Sequence, residues 1–385
     1  MVFAFLIWRL VDFVVTLVAP RVLPFANFFS YGDQMLRYHV PEYLRKLTNF
    51  DGIFFIRIAE HGYSYTEQAY FPMYPLMIRL VGVGLHRPII SGLVINFTAL
   101  VIGLFLLYKL LPRLTARANY LWVFVFLFAY PTSYYFGVMY TESLFFLFLV
   151  STLYFVVQKK FIFAFSAAYA ASLTRVPGVF ISLPVLALLI SREGRLFPQS
   201  LHELFGLLKS GWRTLCVALA PFLGLATYSL YLWRTVGDPL FFISAQESFG
   251  AHRSSHLITP FQVLYRYLRI FLTANISFQY FVALMEVFFF AIAILLLAYD
   301  LISLLKVKKY QPLRIGLNLF SWTNIIVPSL TGTLTAMPRY TLMSLSIMLV
   351  LAELKSRPFK YTILGVMIIL HIIYFGLFIQ GYYVT

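Results

Sequence analysis

Long runs of apolar residues, parted by short polar breaks, set the pattern of this 385-residue chain. Stretches such as Ile89 to Leu111 and Val282 to Leu305 contain the roughly 20 apolar residues needed to cross a hydrocarbon core about 30 Å thick. On that length criterion the pattern predicts about eleven spans, near 3–25, 89–111, 119–136, 139–157, 161–174, 177–191, 214–234, 281–304, 314–335, 339–354 and 359–381. The run from Met73 to Leu85 is shorter and carries Arg79, which suits an interfacial or re-entrant helix better than a span. The expected fold is an all-α polytopic membrane protein. With no linker, low-complexity tract or internal repeat, residues 1–385 read as a single membrane domain.

Charge placement orients the predicted spans, because short cytoplasmic loops collect Lys and Arg. With an inside N-terminus and no span at 73–85, five inner connections carry Lys109, Arg113 and Arg117; Lys159 and Lys160; Arg192, Arg195, Lys209 and Arg213; Lys306, Lys308, Lys309 and Arg314; and Lys355, Arg357 and Lys360. Those are 16 of the 30 basic residues, against Glu193 and Glu203 as the acids in the same loops, so the alternation is consistent. The non-cytoplasmic face then receives two long segments, a first loop at 26–88 and a second at 235–280, together with three tight turns. Long external segments are exempt from the charge rule.

Composition narrows the class. Hydrophobic residues make up 61% of the chain and charged ones 11%, more apolar surface than a soluble core can hide. Many tyrosines lie near the ends of apolar runs, as an interfacial belt requires. The net charge of +16 sits in clusters between apolar runs, which is juxtamembrane placement and argues against nucleic acid as a partner. Cys216 is the one cysteine, so neither an intrachain disulfide nor a cysteine zinc cluster can form. The first 25 residues carry Arg9 and Asp12 and lack a basic n-region and a small-residue cleavage site, so they are expected to remain as the first span.

Candidate chemistry lies on the external side. Phe50-Asp51-Gly52 through Gly62-Tyr63 reads as a short amphipathic helix, with Asp51 as its cap or as a reactive carboxylate and Gly62 as its end. Glu60 lies near its close, and Phe71-Pro72-Met73-Tyr74-Pro75 follows as a pair of aromatic-proline steps. Glu142 opens a span behind Thr141, where a cap and a dipole-paired carboxylate are the plain alternative to a functional role. Arg175 and Arg339 occupy tight external turns and either snorkel to headgroups or bind an anion. The second long segment opens with the turn signal Gly237-Asp238-Pro239-Leu240, followed by Gln246, Glu247, His252, Arg253 and His256. No HExxH, paired-histidine or EF-hand spacing marks a metal site. A face with several carboxylates and several arginines has the groups needed to deprotonate a hydroxyl and hold a phosphate.

These segments together resemble the PIG-V mannosyltransferase family, along most of the chain. The family's Trp-Asp start, Ile-Ala-x-x-Gly-Tyr and Phe-Phe-Pro-x-Tyr-Pro motifs are similar to Phe50-Asp51, Ile58-Ala59-Glu60-His61-Gly62-Tyr63 and Tyr70-Phe71-Pro72-Met73-Tyr74-Pro75. Pro131-Thr132-Ser133, Tyr140-Thr141-Glu142-Ser143-Leu144, Thr174-Arg175, Gly237-Asp238-Pro239-Leu240 with Ala245-Gln246, and Pro338-Arg339-Tyr340 resemble its later motifs, in order. Phe50 departs from the usual Trp, and Phe54-Phe55 stand where many eukaryotic members have His-Phe, so no histidine role carries over there and acceptor identity stays open.

The resemblance implies a GT-C fold, a helical bundle whose large first non-cytoplasmic loop holds the catalytic acid and short interfacial helices. It implies a glycosyltransferase that takes mannose from a polyprenyl or dolichyl phosphate donor, with no cofactor required, and moves it with inversion to a lipid-linked or glycan acceptor such as a GPI-like glycolipid. By that likeness Asp51 is the general base; Arg339, Arg175 or Arg253 holds the donor phosphate; Glu60, Tyr63, Tyr74, Glu142, Asp238 and Gln246 bind substrate. The expected location is a prokaryotic plasma membrane with an external site, or the endoplasmic reticulum with a lumenal one. A GT-C transferase for another sugar and a polytopic transporter or lipid flippase remain the alternatives, although a transporter places its polar groups near the midplane.

Overall fold

The structure is a computed structural model, and it describes residues 1–26, 32–191, 198–249, 253–306 and 311–384. His252, Arg192, Glu193, Arg195, Lys308 and Lys309 lie outside the described residues. Those described form helices and connecting turns, with no strand among them.

Five helices are long and apolar enough to cross a membrane: Val2–Val22, Pro88–Arg113, Trp212–Val236, Phe278–Lys306 and Arg357–Ile379. Each falls on a predicted span. The other predicted spans are shorter or broken helices, and sequence marks the breaks. The 119–136 run is helical over Tyr120–Ala129, then turns at Tyr130-Pro131 into a short 3₁₀ segment, Ser133–Phe136. The 339–354 run divides into Met337–Leu342 and Leu345–Glu353 across Met343-Ser344. Met73–Leu85 is a 13-residue helix, about 20 Å long at 1.5 Å per residue, and Tyr74 Oη donates to Gly92 O, which lays it along the first half of the helix from Pro88.

The lipid-facing flanks are legible in side-chain exposure. Along Val2–Val22, Phe3, Leu6, Leu10, Phe13 and Leu17 are exposed, while Trp8, Asp12, Val15 and Ala19 face the bundle. An exposed apolar stripe of this kind has a stable environment only in lipid. On the buried face Asp12 accepts or donates at 2.9 Å with His371 Nε2, whose Nδ1 lies 3.1 Å from Ser133 Oγ, joining the first and last long helices.

Small residues bring other helices close. Phe161–Ser172 packs on Trp212–Val236 through Ala164 and Ala168 against Ala218 and Ala220, and a Cβ at Gly224 would run into the Tyr169 carbonyl and the Ser172 side chain. That close approach carries the 173–175 turn, and with it Arg175, to one end of the bundle. Glu142 starts the helix Glu142–Val157 at that end, and Arg339 lies in the first turn of Met337–Leu342 beside it.

Candidate active site

Three chain reversals and the first long loop converge at this end, and each delivers one charge. Asp51 is the first residue of the helix Asp51–His61, and Phe50 before it holds a φ of 61°, a value unusual for a bulky residue. The backbone N–H of Asp51 donates to Tyr140 Oη at 3.2 Å. Its side chain caps no helix N–H, which settles the local choice against capping: Oδ1 accepts from Tyr70 Oη at 3.2 Å and Oδ2 from Arg339 Nη1 at 3.0 Å. Tyr70's hydroxyl is pushed well above its ordinary pKa by desolvation first and by the Asp51 charge, so it stays a donor to that carboxylate.

Glu142 is fully buried, and its Oε1 receives Arg175 Nη1 at 2.5 Å and also Arg339 Nε. One carboxylate therefore spans two guanidinium groups. Thr141 makes no side-chain cap, and Glu142, with no exposed surface, is not a surface carboxylate at the helix start. Removing one partner of such a buried pair typically costs about 3–5 kcal/mol. Arg339 is further held over the rings of Tyr140 at 4.5 Å and Tyr135 at 4.9 Å. Its helix begins after Ala336, whose φ of 69° is left-handed.

Arg253 comes from the second long loop. Its Nη1 donates to Gln246 Oε1 at 3.1 Å and its Nη2 to Tyr340 Oη at 3.2 Å. Its Nε is buried without a hydrogen-bond partner, and among the described residues no carboxylate pairs with it. The Tyr340 phenol raises its pKa further, against the opposing desolvation, and the Asp51 charge adds to the effect. Tyr340 also lies under Arg175, 5.7 Å from its Cζ. Three arginines thus face Asp51 and Glu142, and the buried Glu286 lies within reach of the Arg253 charge without bonding to it.

The remaining sequence candidates lie elsewhere. Glu60 accepts from Arg37 Nη2 at 2.9 Å and Tyr38 Oη at 2.7 Å, in a solvent-exposed network at the other end of the Asp51 helix. Tyr63 Oη donates to the Tyr70 carbonyl at 2.7 Å, so it braces the residue that touches Asp51. Tyr74 is fully buried and bonded to Gly92, and Asp238 Oδ1 accepts from Leu240 N–H at 2.8 Å as a turn residue. Gln246 joins the cluster through Arg253. Among the described residues no group of three or more His, Cys, Asp or Glu is placed to hold a metal ion.

Sequence reasoning passed over two parts of this arrangement. Tyr70, Tyr140 and Tyr340 stand in the quoted motifs without a role of their own and Tyr135 in none of them, yet all four line the charges. Glu286, near the start of the predicted span 281–304, is buried and takes the Tyr267 hydroxyl and the Ala336 N–H, fixing the turn ahead of Arg339. An ionisable residue inside an apolar run was the available signal.

A helical bundle with lipid-facing flanks and a buried ionic centre at one end is an integral membrane protein with a polar site at one end of its helices. The model of the mannosyltransferase (PIG-V) family matches residues 29–231, more than half of the chain, and the chain belongs to that family. It is accordingly a membrane glycosyltransferase. The matched region contains Asp51, Glu142 and Arg175, whereas Arg253 and Arg339 lie beyond it. No curated protein and no solved structure matches the chain.

Proposed function

We propose that this protein transfers a mannosyl group from a polyprenyl or dolichyl phosphate donor to a hydroxyl of a lipid-linked or glycan acceptor, with inversion, at the Asp51 cluster. The observation that carries this reading is the shared Arg339, bonded at once to Asp51 and to Glu142, which couples a base to a bed of cations.

Asp51 takes the proton of the acceptor hydroxyl. The hydroxyl oxygen bonds to the anomeric carbon as the carbon–oxygen bond to the lipid phosphate breaks, and the electron pair leaves with the phosphate. Each Asp51 oxygen retains a lone pair beyond its bond to Tyr70 or Arg339, so an incoming hydroxyl has an acceptor. Arg253, bonded to Gln246 and Tyr340 and to no carboxylate, meets the single negative charge of the donor phosphodiester. Arg339 and Arg175 then neutralise the second charge that appears on the departing phosphate. Glu142 fixes these two arginines and touches no substrate. General base catalysis contributes about 10² to 10⁴ in rate. No cofactor enters this scheme, and the site faces away from the cytosol, with the chain forming one membrane domain of about eleven spans as the length criterion predicts.

The test is transfer by purified protein from a panel of lipid-phosphate sugars to hydroxyl acceptors. Mannosyl transfer that falls about 10²-fold or more in a folded Asp51→Asn variant supports the scheme. Undiminished turnover by that variant, or a preference for another sugar, defeats the corresponding part.

A further inference from the structure

The second long segment contains the helix Pro260–Thr273, which has three separate faces. Val263 and Tyr267 are buried against the bundle. On the next third of the circumference Phe261, Leu264, Tyr265, Leu268 and Leu272 form an outward apolar stripe, with Phe261 85% and Leu272 76% exposed. Gln262, Arg266, Arg269 and Thr273 make the last third, also exposed. The sequence has no Asp or Glu from Ser248 to Met285, so nothing nearby in the chain offsets the two arginines. Arg269 pairs with no carboxylate among the described residues.

Helix lengths give the depth at which these faces lie. Phe278–Lys306 has 29 residues, about 43 Å at 1.5 Å per residue, and so exceeds a hydrocarbon core of about 30 Å by more than two turns. Lys306 closes it, where a cation suits the membrane edge. Glu286 stands 20 residues before Lys306, about 30 Å away, at the opposite edge of the core. Tyr267 meets the long helix there, its hydroxyl donating to Glu286, and the Phe271 ring lies 5.5 Å from that of Tyr280. Pro260–Thr273 is therefore held at the level where hydrocarbon gives way to headgroups. An apolar stripe beside a basic one is the profile of a helix resting in that layer.

The same helix is tied to the turn that leads into Arg339. Arg266 Nη1 donates to Gly332 O at 3.0 Å, and Tyr267 Oη accepts from the Leu334 N–H at 3.0 Å. Just ahead of the helix, the Ile258 N–H donates to Leu330 O and the Ser254 N–H, beside Arg253, to Thr331 O, both at 2.8 Å. Gly332 has a φ of 92°, and a Cβ there would come within 2.8 Å of Arg266 Nη1 and 2.7 Å of Ile258 Cδ1, so the turn is moulded onto the helix. Glu286, which holds Tyr267, also takes the Ala336 N–H. Residues 330–336 are thus clasped between this helix and the long one.

From the faces, the depth and these ties, we propose that Pro260–Thr273 binds the headgroup layer of an anionic leaflet and thereby holds the 330–336 turn in place behind Arg339. Arg266 and Arg269 meet lipid phosphates, and the Phe261–Leu272 stripe enters the first acyl carbons. Lipid is the occupant rather than a second copy of the chain, because a two-fold contact through this face would bring the arginines of both copies together with no acid in the segment to answer them. Arg266 and Tyr267 act as positioning residues and touch no substrate.

The test uses the full chain in nanodiscs of phosphatidylcholine with and without phosphatidylglycerol. Cys216 is the one cysteine, so in a Cys216→Ser background a fluorophore can be placed on Leu268→Cys or on Gln262→Cys. The Leu268 label is expected to be quenched by lipids carrying a nitroxide close to the headgroup and shielded from iodide, and the Gln262 label to be reached by iodide. Iodide access to both labels overturns the seat, as does shielding of both in particles that hold two copies. Hydrogen exchange at 330–336 is expected to slow about fivefold when phosphatidylglycerol is added, with kcat rising by a similar factor, and Arg269→Gln to bring both ratios close to one. Exchange that ignores lipid charge, or responds equally in Arg269→Gln, overturns the coupling whether or not transfer is seen. Tyr267→Phe is expected to lower kcat in both lipids without moving the Leu268 label. Quenching and exchange need no turnover, so absence of transfer from every lipid-phosphate sugar would fault the transferase reading alone.

Discussion

Two buried ionic clusters lie at opposite ends of the bundle, and their difference is instructive. At the far end Arg314 donates to Glu353 through both terminal nitrogens, at 2.6 and 2.7 Å, and to Asp300 at 2.8 Å, while Asn318 and Thr115 satisfy the same carboxylates. Glu142 at one end of its helix and Val157 at the other set the two clusters about 22 Å apart at 1.5 Å per residue. The far cluster has one arginine for two carboxylates, and both carboxylates bind that single guanidinium. The Asp51 cluster sets three arginines around Asp51 and Glu142, with Asp51 a quarter exposed and Arg253 bonded to no carboxylate among the described residues. Each set is out of balance by one charge, and each has a buried arginine Nε without a partner. The difference is that every carboxylate and the arginine of the far set are bonded to one another, whereas Arg253 is bonded to no carboxylate.

The sharpest way to break this contrast is Glu142→Gln. It leaves two buried guanidinium groups competing for a neutral amide, and a loss of about 3–5 kcal/mol in stability is expected, read as a lower thermal midpoint in detergent together with lost transfer. Arg314→Met is expected to destabilise by a comparable or slightly smaller amount, but protein that remains folded should keep its kcat, because this cluster only joins helices. A large fall in kcat for folded Arg314→Met would erase the distinction between the two ends. Arg253→Ala should fold, since it removes an arginine without a carboxylate partner, and should raise donor KM by about ten- to a hundredfold, the worth of a charge-assisted hydrogen bond. Smallest of all, Glu286→Gln keeps an acceptor for the Ala336 N–H and shifts Arg339 only slightly, so a fall in kcat of about threefold is expected, and Glu286→Ala should fall further.

Much of the site was readable from sequence because its parts lie in turns. Asp51, Glu142, Arg175, Arg253 and Arg339 all occupy breaks between apolar runs, and charge alternation put those breaks on one face before any contact was known. Which charge met which was not readable. Glu142 looked like a helix-start carboxylate because dipole pairing is a local property, whereas its two arginines lie 33 and 197 residues further along the chain. Five predicted spans appear as full-length helices, while runs such as 119–136 are interrupted: hydropathy registers burial, and aromatic residues packed inside the bundle score as highly as those in lipid. Phe136, Phe145 and Phe146 are of that kind, buried in the core.

The positive φ angles at Phe50 and Ala336 were invisible too, since neither is the glycine that usually announces such a turn. A library selected for heat resistance would be drawn to Ala336, where a glycine relaxes roughly 1 kcal/mol of backbone conflict, and not to Phe50, whose buried ring packs on Phe378 and Tyr383. A glycine at Ala336 would emerge as a sturdier protein with a slacker grip on Arg339, so any effort to toughen this enzyme should screen turnover alongside melting from the first round.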